Sequence, residues 1–219
     1  MFGASIGRGA MKIIDAIVRV LASAGVHPNI LTTIGVIINV GCGVLFGIGE
    51  FFWAGVVLIV ANLFDMLDGN VARLTGNVTR FGGFLDSSLD RISDMGCFVG
   101  LICFYASNRP QHSILNVFLA GVGLMGSIMV SYTTARAENA GIKSSVGFMQ
   151  RPERVVLFII GALSTWDWNS TNYFLNRMPQ VLWVLAIGSM WTFVQRMFHT
   201  WKELRKMERR ELEAENEVI

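Results

Sequence analysis

Six apolar segments follow one another along the chain, and short polar stretches separate them. Most come close to the roughly 20 residues that a helix needs to cross the hydrocarbon core of a bilayer. The pattern predicts an all-α membrane protein with six transmembrane helices. The fifth segment is short, so it is either re-entrant or continues past Trp168. The segments cover residues 30–48, 51–74, 81–105, 114–135, 155–166 and 178–198.

The stretch before the first segment is amphipathic. Within residues 11–22, apolar side chains recur at helical spacing and charged ones occupy the other side. This pattern is typical of a helix in the membrane interface, although a soluble amphipathic helix shows it too. Lys12, Asp15 and Arg19 interrupt the apolar run, so we do not expect a cleaved signal peptide. The apolar positions are Ile13, Ile14, Ile17, Val20 and Leu21.

The end of the chain is densely charged over residues 202–217, which contain no Gly or Pro. We expect a solvated helix there. The glycine pairs Gly43/Gly47 and Gly96/Gly100 allow helices to approach closely, and we interpret them as local packing contacts. The predicted organisation is an N-terminal cytoplasmic or interfacial helix at 1–29, a six-helix transmembrane domain at 30–199 and a charged cytoplasmic tail at 200–219.

The composition supports a membrane protein. Of 219 residues, 53% are hydrophobic and 16% are charged, whereas a soluble domain has about 25% charged residues. The mean hydropathy is +0.50, which also excludes a disordered chain. The net charge of +2 is too small for a nucleic-acid binder, so we expect no nucleic-acid partner. The three cysteines lie inside apolar segments, and we interpret them as small core residues.

The basic residues lie almost entirely on one side of the six predicted spans. The other side has only Arg109 and Arg177. Because Lys and Arg are enriched in cytoplasmic loops, the termini and the loops after spans two and four are predicted to be cytoplasmic, with the protein in the cell membrane. The basic residues on that side are Arg8, Lys12, Arg19, Arg73, Arg80, Arg136, Lys143, Arg151, Arg154 and the six from Arg196 to Arg210.

Acidic residues are concentrated where an apolar chain should avoid them. Five of the seven aspartates fall in the second and third segments, although an Asp at membrane depth costs roughly 2.5–3.5 kcal/mol. Two of them are three residues apart and two are four apart, so each pair shares a helix face. Antiparallel helices would bring both pairs to the same depth near the cytoplasmic side. The five are Asp65, Asp68, Asp86, Asp90 and Asp94.

Carboxylates gathered in this way need a positive partner. All-oxygen ligands select Mg²⁺, Mn²⁺ or Ca²⁺, whereas protons or Na⁺ would be the partners in an ion-coupled transporter. Gly69 and Ala72 share the helix face of Asp65 and leave room beside the acids, and Gly82 clears the facing helix. Arg73 then lies where a guanidinium can bind phosphate. Together they favour a metal-bound phosphate ester over a bare ion path.

These positions resemble the signature of the CDP-alcohol phosphotransferases in full, and the six-span layout with its N-terminal helix resembles that family too. The resemblance implies a membrane enzyme of phospholipid synthesis. It implies that the hydroxyl of a polar acceptor attacks a CDP-lipid, usually CDP-diacylglycerol, and that CMP leaves. It also implies a homodimer. The matching run is Asp65-x2-Asp68-Gly69-x2-Ala72-Arg73-x8-Gly82-x3-Asp86-x3-Asp90.

The same resemblance implies a role for each position. Asp65, Asp68 and Asp86 would be ligands of two Mg²⁺ or Mn²⁺ ions, and Asp90 would be the general base with some metal contact of its own. Asp94 lies outside the signature, and it either supports Asp90 or pairs with Arg91 or Arg80. The residues implied to hold the CDP-lipid are Asn29, Thr32, Asp68, Gly69, Ala72, Arg73 and Gly82.

A second polar region, between the fourth and fifth segments, bears on the acceptor. Pro152 suits the first turn of a helix, so Arg151 and Arg154 would lie at a helix N-terminus, which binds anions. The region resembles the phosphatidylinositol-phosphate synthase branch, which implies inositol 1-phosphate as acceptor. Thr134 departs from it, because that branch often has lysine there. The predicted acceptor-phosphate residues are Ser131, Arg136, Arg151, Arg154 and Arg196.

Other acceptors and another class of protein stay open. Glycerol 3-phosphate, free inositol and serine are the alternatives within the family. Gly35 counts against glycerol 3-phosphate, since that branch typically has an arginine there. Outside enzymes, the alternative is an ion-coupled transporter. The arginines beside the acids disfavour it, because a cation path has no use for them.

Overall fold

Seven helices make up the part of the chain that the computed structural model describes, which is residues 14–26, 28–143, 146–164 and 177–217. Those residues contain no strand, so the all-α prediction is confirmed. Helix α1 covers residues 14–23. The others are α2 (Pro28–Ile48), α3 (Phe51–Leu74), α4 (Arg80–Ala106), α5 (Ile114–Asn139), α6 (Arg151–Leu163) and α7 (Met178–Glu217).

Four of these helices are long and apolar enough to cross a membrane. They contain the spans Ile30–Ile48, Phe51–Leu74, Ile114–Asn139 and Met178–Arg210. Helix α4 has 27 residues, but acids and arginines occupy its first half. Helix α6 has 13 residues, and the end of the predicted fifth segment, at 165–166, lies outside the described residues. The helices thus show a membrane protein, whereas the count of six spans stays a prediction.

The helix boundaries follow from local chemistry. The Thr79 hydroxyl accepts a hydrogen bond from Gly82 N at 2.9 Å and caps α4, and Ser113 caps α5 in the same way. Gly49 joins α2 to α3 with φ +95°, a conformation that favours glycine. Helix α7 continues without a break beyond residue 200, so the predicted charged tail is the last part of the same helix.

Glycines allow a close backbone contact between α2 and α4. A Cβ on Gly43 would lie 2.5 Å from the carbonyl oxygen of Gly96, and one on Gly100 would collide with the carbonyl oxygen of Gly43. The two backbones therefore touch with no side chain between them. This confirms the packing interpretation for Gly43 and Gly100, whereas a Cβ on Gly96 would meet nothing within 4 Å.

Aromatic rings fill the core beside this contact. Phe46, Phe98 and Phe158 are fully or almost fully buried and bring α2, α4 and α6 together, with the last two rings 4.9 Å apart. A smaller cluster joins α1 to the start of α2 and the end of α3 through Val18, Leu31, Leu67 and Val71. Because α2 packs against α3 and α4 while α6 packs against α3 and α7, these contacts fix the polar ends of the helices relative to one another.

Candidate active site

The signature aspartates lie on two helices that are connected by other helices packed against them. Asp65 and Asp68 belong to α3, and Asp86 and Asp90 belong to α4. In the described part of the chain, α3 and α4 have no extensive contact of their own, because α2 packs against both. The start of α6 reaches the acids through Arg151. The acid site is therefore assembled from the helices α3, α4 and α6.

Arg151 bridges the acids of the two helices. Its Nη2 lies 2.8 Å from Asp65 Oδ2 and 2.7 Å from Asp90 Oδ1. Asp86 interacts electrostatically with the same guanidinium and with Asp65. One cation thus offsets the repulsion within a group of carboxylates. The sequence predicted Arg151 at the helix start, but it did not predict that this side chain would contact the acids.

Asp68 is the most buried of the four signature acids. Its Oδ2 has no hydrogen-bond partner, and the nearest acidic neighbours are Asp65 and Asp86. Thr32, one of the residues predicted to hold the CDP-lipid, lies within hydrogen-bonding reach of Asp68. A buried carboxylate oxygen without a partner is costly unless a cation completes the site. The oxygen donors present here fit a hard divalent cation.

The carboxylates are not arranged around one point. Within the described ranges, no group of three or more His, Cys, Asp or Glu side chains is placed to hold a metal ion. Arg151 contacts Asp65 and Asp90, whereas Asp68 lies on the side of Thr32. The structure thus brings the acids into one neighbourhood, and their roles as metal ligands stay a prediction.

Among the residues predicted to hold the CDP-lipid, Gly69 faces open space. A Cβ on Gly69 would meet nothing within 4 Å, Ala72 is half-buried, and Arg73 is exposed at the end of α3. Gly82 donates its N–H to the cap at Thr79. The side chain of Asn29 lies outside the described residues. A ligand therefore has room beside Asp68 without any movement of the helix.

Gly35 lies directly beside a signature acid, a placement that sequence reasoning missed. A Cβ on Gly35 would lie 3.0 Å from Asp65 Oδ1 and 3.5 Å from the side chain of Phe64. The absence of a side chain there lets α2 pass directly beside a signature acid. The signal in the sequence was its position, one turn after Thr32 on the same helix.

A cavity of about 500 Å³ opens beside Arg151, and its wall is strongly basic. Among the described residues, Glu138 is the only acidic one in its lining, and Ser131 contributes a hydroxyl. Arg136 is exposed and does not line this cavity. Four of the five predicted acceptor residues are therefore brought together and one is not. The basic lining residues are Arg91, Lys143, Arg151, Arg154 and Arg196.

Arg196 is held in the wall of the cavity by backbone and side-chain oxygens. Its Nε donates to the carbonyl oxygen of Val146 at 2.8 Å, and its Nη1 donates to that of Val130 at 3.0 Å and to the hydroxyl of Thr134. Thr134 thus positions a cation in the cavity where the resemblance led us to expect a lysine. Although Thr134 has no charge of its own, it therefore helps to hold a positive charge in the wall of the cavity.

Arg154 is almost fully buried in the same wall. Its Nε and Nη2 donate to Asp94 Oδ2 at 3.1 and 2.5 Å, and its Nη1 donates to the carbonyl oxygen of Met149 at 3.3 Å. Asp94 therefore pairs with Arg154, whereas we had expected support of Asp90 or a pair with Arg91 or Arg80. The sequence could not show this, because the partner lies 60 residues away.

Comparison with known proteins places the chain in a family. The family profile of the CDP-alcohol phosphatidyltransferases matches residues 25–198. The phosphatidylinositol phosphate synthase of Mycobacterium tuberculosis is 36% identical over 198 residues, which are 87% of this chain and 86% of that protein. The archaetidylinositol phosphate synthase of Pyrococcus horikoshii is 34% identical over 192 residues, 87% of this chain and 92% of that protein.

Solved structures agree with this relationship. A crystal structure of the Mycobacterium tuberculosis phosphatidylinositol phosphate synthase with CDP-DAG bound has a TM-score of 0.78 and 36% identity, over 87% of this chain and 94% of that one. The same synthase in complex with manganese and citrate has a TM-score of 0.77 and 35% identity, over 86% and 88% of the two chains. The chain described here belongs to the CDP-alcohol phosphatidyltransferase family.

Proposed function

We propose that this protein transfers the phosphatidyl group of CDP-diacylglycerol to the hydroxyl of inositol 1-phosphate and releases CMP. The observation that carries the proposal is the position of Arg151, which contacts Asp65 and Asp90 and also lines the basic cavity. An acceptor bound in that cavity therefore lies next to the acids. The relatives named as inositol-phosphate lipid synthases support this acceptor.

The acids would carry out the chemistry of phosphoryl transfer. Asp90 would accept the proton of the acceptor hydroxyl as its oxygen bonds to the phosphorus nearer the lipid. The bond from that phosphorus to the CMP oxygen breaks, and CMP leaves with the bond electrons. Asp65, Asp68, Asp86 and Asp90 would hold two Mg²⁺ or Mn²⁺ ions, which supply stabilisation of the charge on the pyrophosphate and the leaving group. The manganese complex of a relative supports a divalent metal.

The charge of the cavity distinguishes between acceptors. In the part of the chain that the structure describes, five basic side chains and one acidic side chain, Glu138, line the cavity, so an anionic group is favoured there. Inositol 1-phosphate and glycerol 3-phosphate both carry such a group, whereas inositol and serine lack a phosphate. A cation-conducting transporter would gain nothing from this wall, and the family assignment also disfavours that class.

We further propose the arrangement of the protein in the membrane. It would lie in the cell membrane with six spans, as a homodimer, with the active site and both termini on the cytoplasmic side. Supporting this, the basic residues Arg151, Arg154 and Arg196 gather at the end of the molecule that the positive-inside rule places in the cytoplasm.

The test is CMP release by the purified full-length protein with CDP-diacylglycerol and Mg²⁺ or Mn²⁺. Inositol 1-phosphate, glycerol 3-phosphate, inositol and serine are offered separately. We expect release with inositol 1-phosphate and none without divalent metal. Release with glycerol 3-phosphate alone would show that glycerol 3-phosphate, and not inositol 1-phosphate, is the acceptor. No release with any of the four would contradict the proposed reaction.

A further inference from the structure

One buried carboxylate outside the acid signature connects three helices. Asp94 lies on α4, one turn after Asp90, and its side chain is 6% exposed. Its Oδ2 accepts hydrogen bonds from Arg154 Nε and Nη2 on α6 and from the Ser127 hydroxyl on α5, the last at 3.2 Å. Its Oδ1 lies 3.9 Å from Arg151 Nε. Both oxygens therefore face arginines of the acceptor cavity.

The contact between Asp94 and Arg154 fixes the arginine in one orientation. Two guanidinium nitrogens bind the same carboxylate, and such charge-assisted bonds are short and directional. The Arg154 side chain is only 2% exposed, so solvent does not compete for it. The third nitrogen donates to Met149, whose own N–H donates to the Thr192 hydroxyl at 2.9 Å. The arginine is thus anchored to α4 and, through this loop residue, to α7.

This anchor lies at the point where the cavity meets the acids. Arg154 and Arg151 are three residues apart at the start of α6, and both line the cavity. Arg151 also contacts Asp90, the proposed base. A change in the direction of the Arg154 side chain would therefore alter the basic wall and the first turn of α6 together. When an anion site is already ordered, less conformational entropy is lost on binding, so the ligand binds more tightly.

We propose that Asp94 is a positioning residue for the phosphate of the acceptor. It holds Arg154, and through Arg154 the first turn of α6. When the phosphate of the acceptor binds there, the reacting hydroxyl of the acceptor is directed toward Asp90. Asp94 itself contacts neither the acceptor nor the CDP-lipid. The proposal rests on the proposed function, since it concerns the binding of that same phosphorylated acceptor.

The first test is Asp94→Asn in the full-length protein. The amide keeps the shape of the side chain but loses the charge and can no longer accept on both oxygens. We expect the KM for inositol 1-phosphate to rise about tenfold to a hundredfold, because the cations of the wall are misplaced. The KM for CDP-diacylglycerol should change less than about threefold, since its site lies beside Asp68. The matched control is Asp15→Asn, the same substitution at an exposed position of α1.

A milder variant keeps the proposal testable if Asp94→Asn does not fold. Ser127→Ala removes one of the donors to Asp94 and leaves both contacts with Arg154. We expect a rise of about two- to fivefold in the acceptor KM, with the CDP-diacylglycerol KM again unchanged. Inorganic phosphate, used as a competitive inhibitor, should inhibit both variants less than the original protein.

The outcomes separate this inference from the proposed function. A folded Asp94→Asn protein with an unchanged acceptor KM would overturn the positioning role. So would a parallel rise of both KM values, which indicates a merely structural role. An unchanged acceptor KM in Ser127→Ala would overturn it where the first variant does not fold. If the original protein is active and only these effects are missing, the inference alone fails. If the original protein releases no CMP with any phosphorylated acceptor, both fail.

Discussion

Glycines at the two ends of the helix assembly have opposite surroundings. At the apolar end, a Cβ on Gly43 would reach the backbone of Gly96, so the absence of a side chain permits contact. At the charged end, a Cβ on Gly69 would meet nothing within 4 Å. One end is therefore closed by packing, and the other is left open beside the acids. Close packing at the apolar end fixes the helices relative to one another, and space is left where a ligand is proposed to bind.

The largest expected effect is at the charged end. Asp90→Asn removes the proposed base, and general base catalysis contributes about 10²- to 10⁴-fold in rate. We expect kcat to fall by about that factor while binding of the CDP-lipid is largely kept, measured by CMP release and by nucleotide binding. The control is Asp15→Asn on α1. Loss of binding with chemistry preserved at saturation would contradict the role of Asp90.

The next effect is at the closed end and concerns stability. Gly100→Ala places a methyl group against the Gly43 carbonyl, and overpacking of this kind costs about 1–3 kcal/mol. We expect a lower apparent melting temperature in detergent. Gly96→Ala on the same helix is the matched control, because its Cβ would meet nothing within 4 Å. Equal melting temperatures for the two variants would show that the contact is not needed.

A smaller effect is expected at the charged end, where Gly35 on α2 lies beside Asp65 on α3. Gly35→Ala places a methyl group 3.0 Å from Asp65 Oδ1 and should displace that carboxylate. We expect the Mn²⁺ concentration for half-maximal activity to rise about tenfold, as when the surroundings of a metal ligand are disturbed. Gly41→Ala on the same helix is the control, since its Cβ would meet nothing within 4 Å. An equal Mn²⁺ requirement in both variants would argue against Asp65 as a ligand.

The smallest effect is expected from Arg136, which lies outside the cavity, and Arg196 inside it is the comparison. Arg196→Ala should raise the KM for inositol 1-phosphate about tenfold, because a charge in the wall is lost. Arg136→Ala should raise it less than about threefold, because Arg136 is exposed and does not line the cavity. Kinetics with the acceptor varied compare the two variants directly. A larger rise for Arg136→Ala would place that arginine back among the phosphate contacts.

The sequence predicted what depends on local patterns. Helix α3 was predicted with both ends correct, because the apolar run is bounded by Gly49 and by polar residues after Leu74. The grouping of the aspartates followed from helical spacing. The sequence did not predict that Arg151 bridges Asp65 and Asp90, because Arg151 lies 86 residues after Asp65 in the chain. The pair of Asp94 with Arg154 and the support of Arg196 by Thr134 also depend on packing between helices that no local pattern encodes.

The central claim is that the phosphatidyl group moves to the acceptor. CDP-diacylglycerol labelled with ³²P at the phosphorus nearer the lipid, incubated with the protein, Mn²⁺ and inositol 1-phosphate, tests it directly. If the acids and the basic cavity act as proposed, the label will appear in a phospholipid that also carries the acceptor phosphate, and unlabelled CMP will be released. Label in the released nucleotide, or label that stays in CDP-diacylglycerol, would contradict the claim.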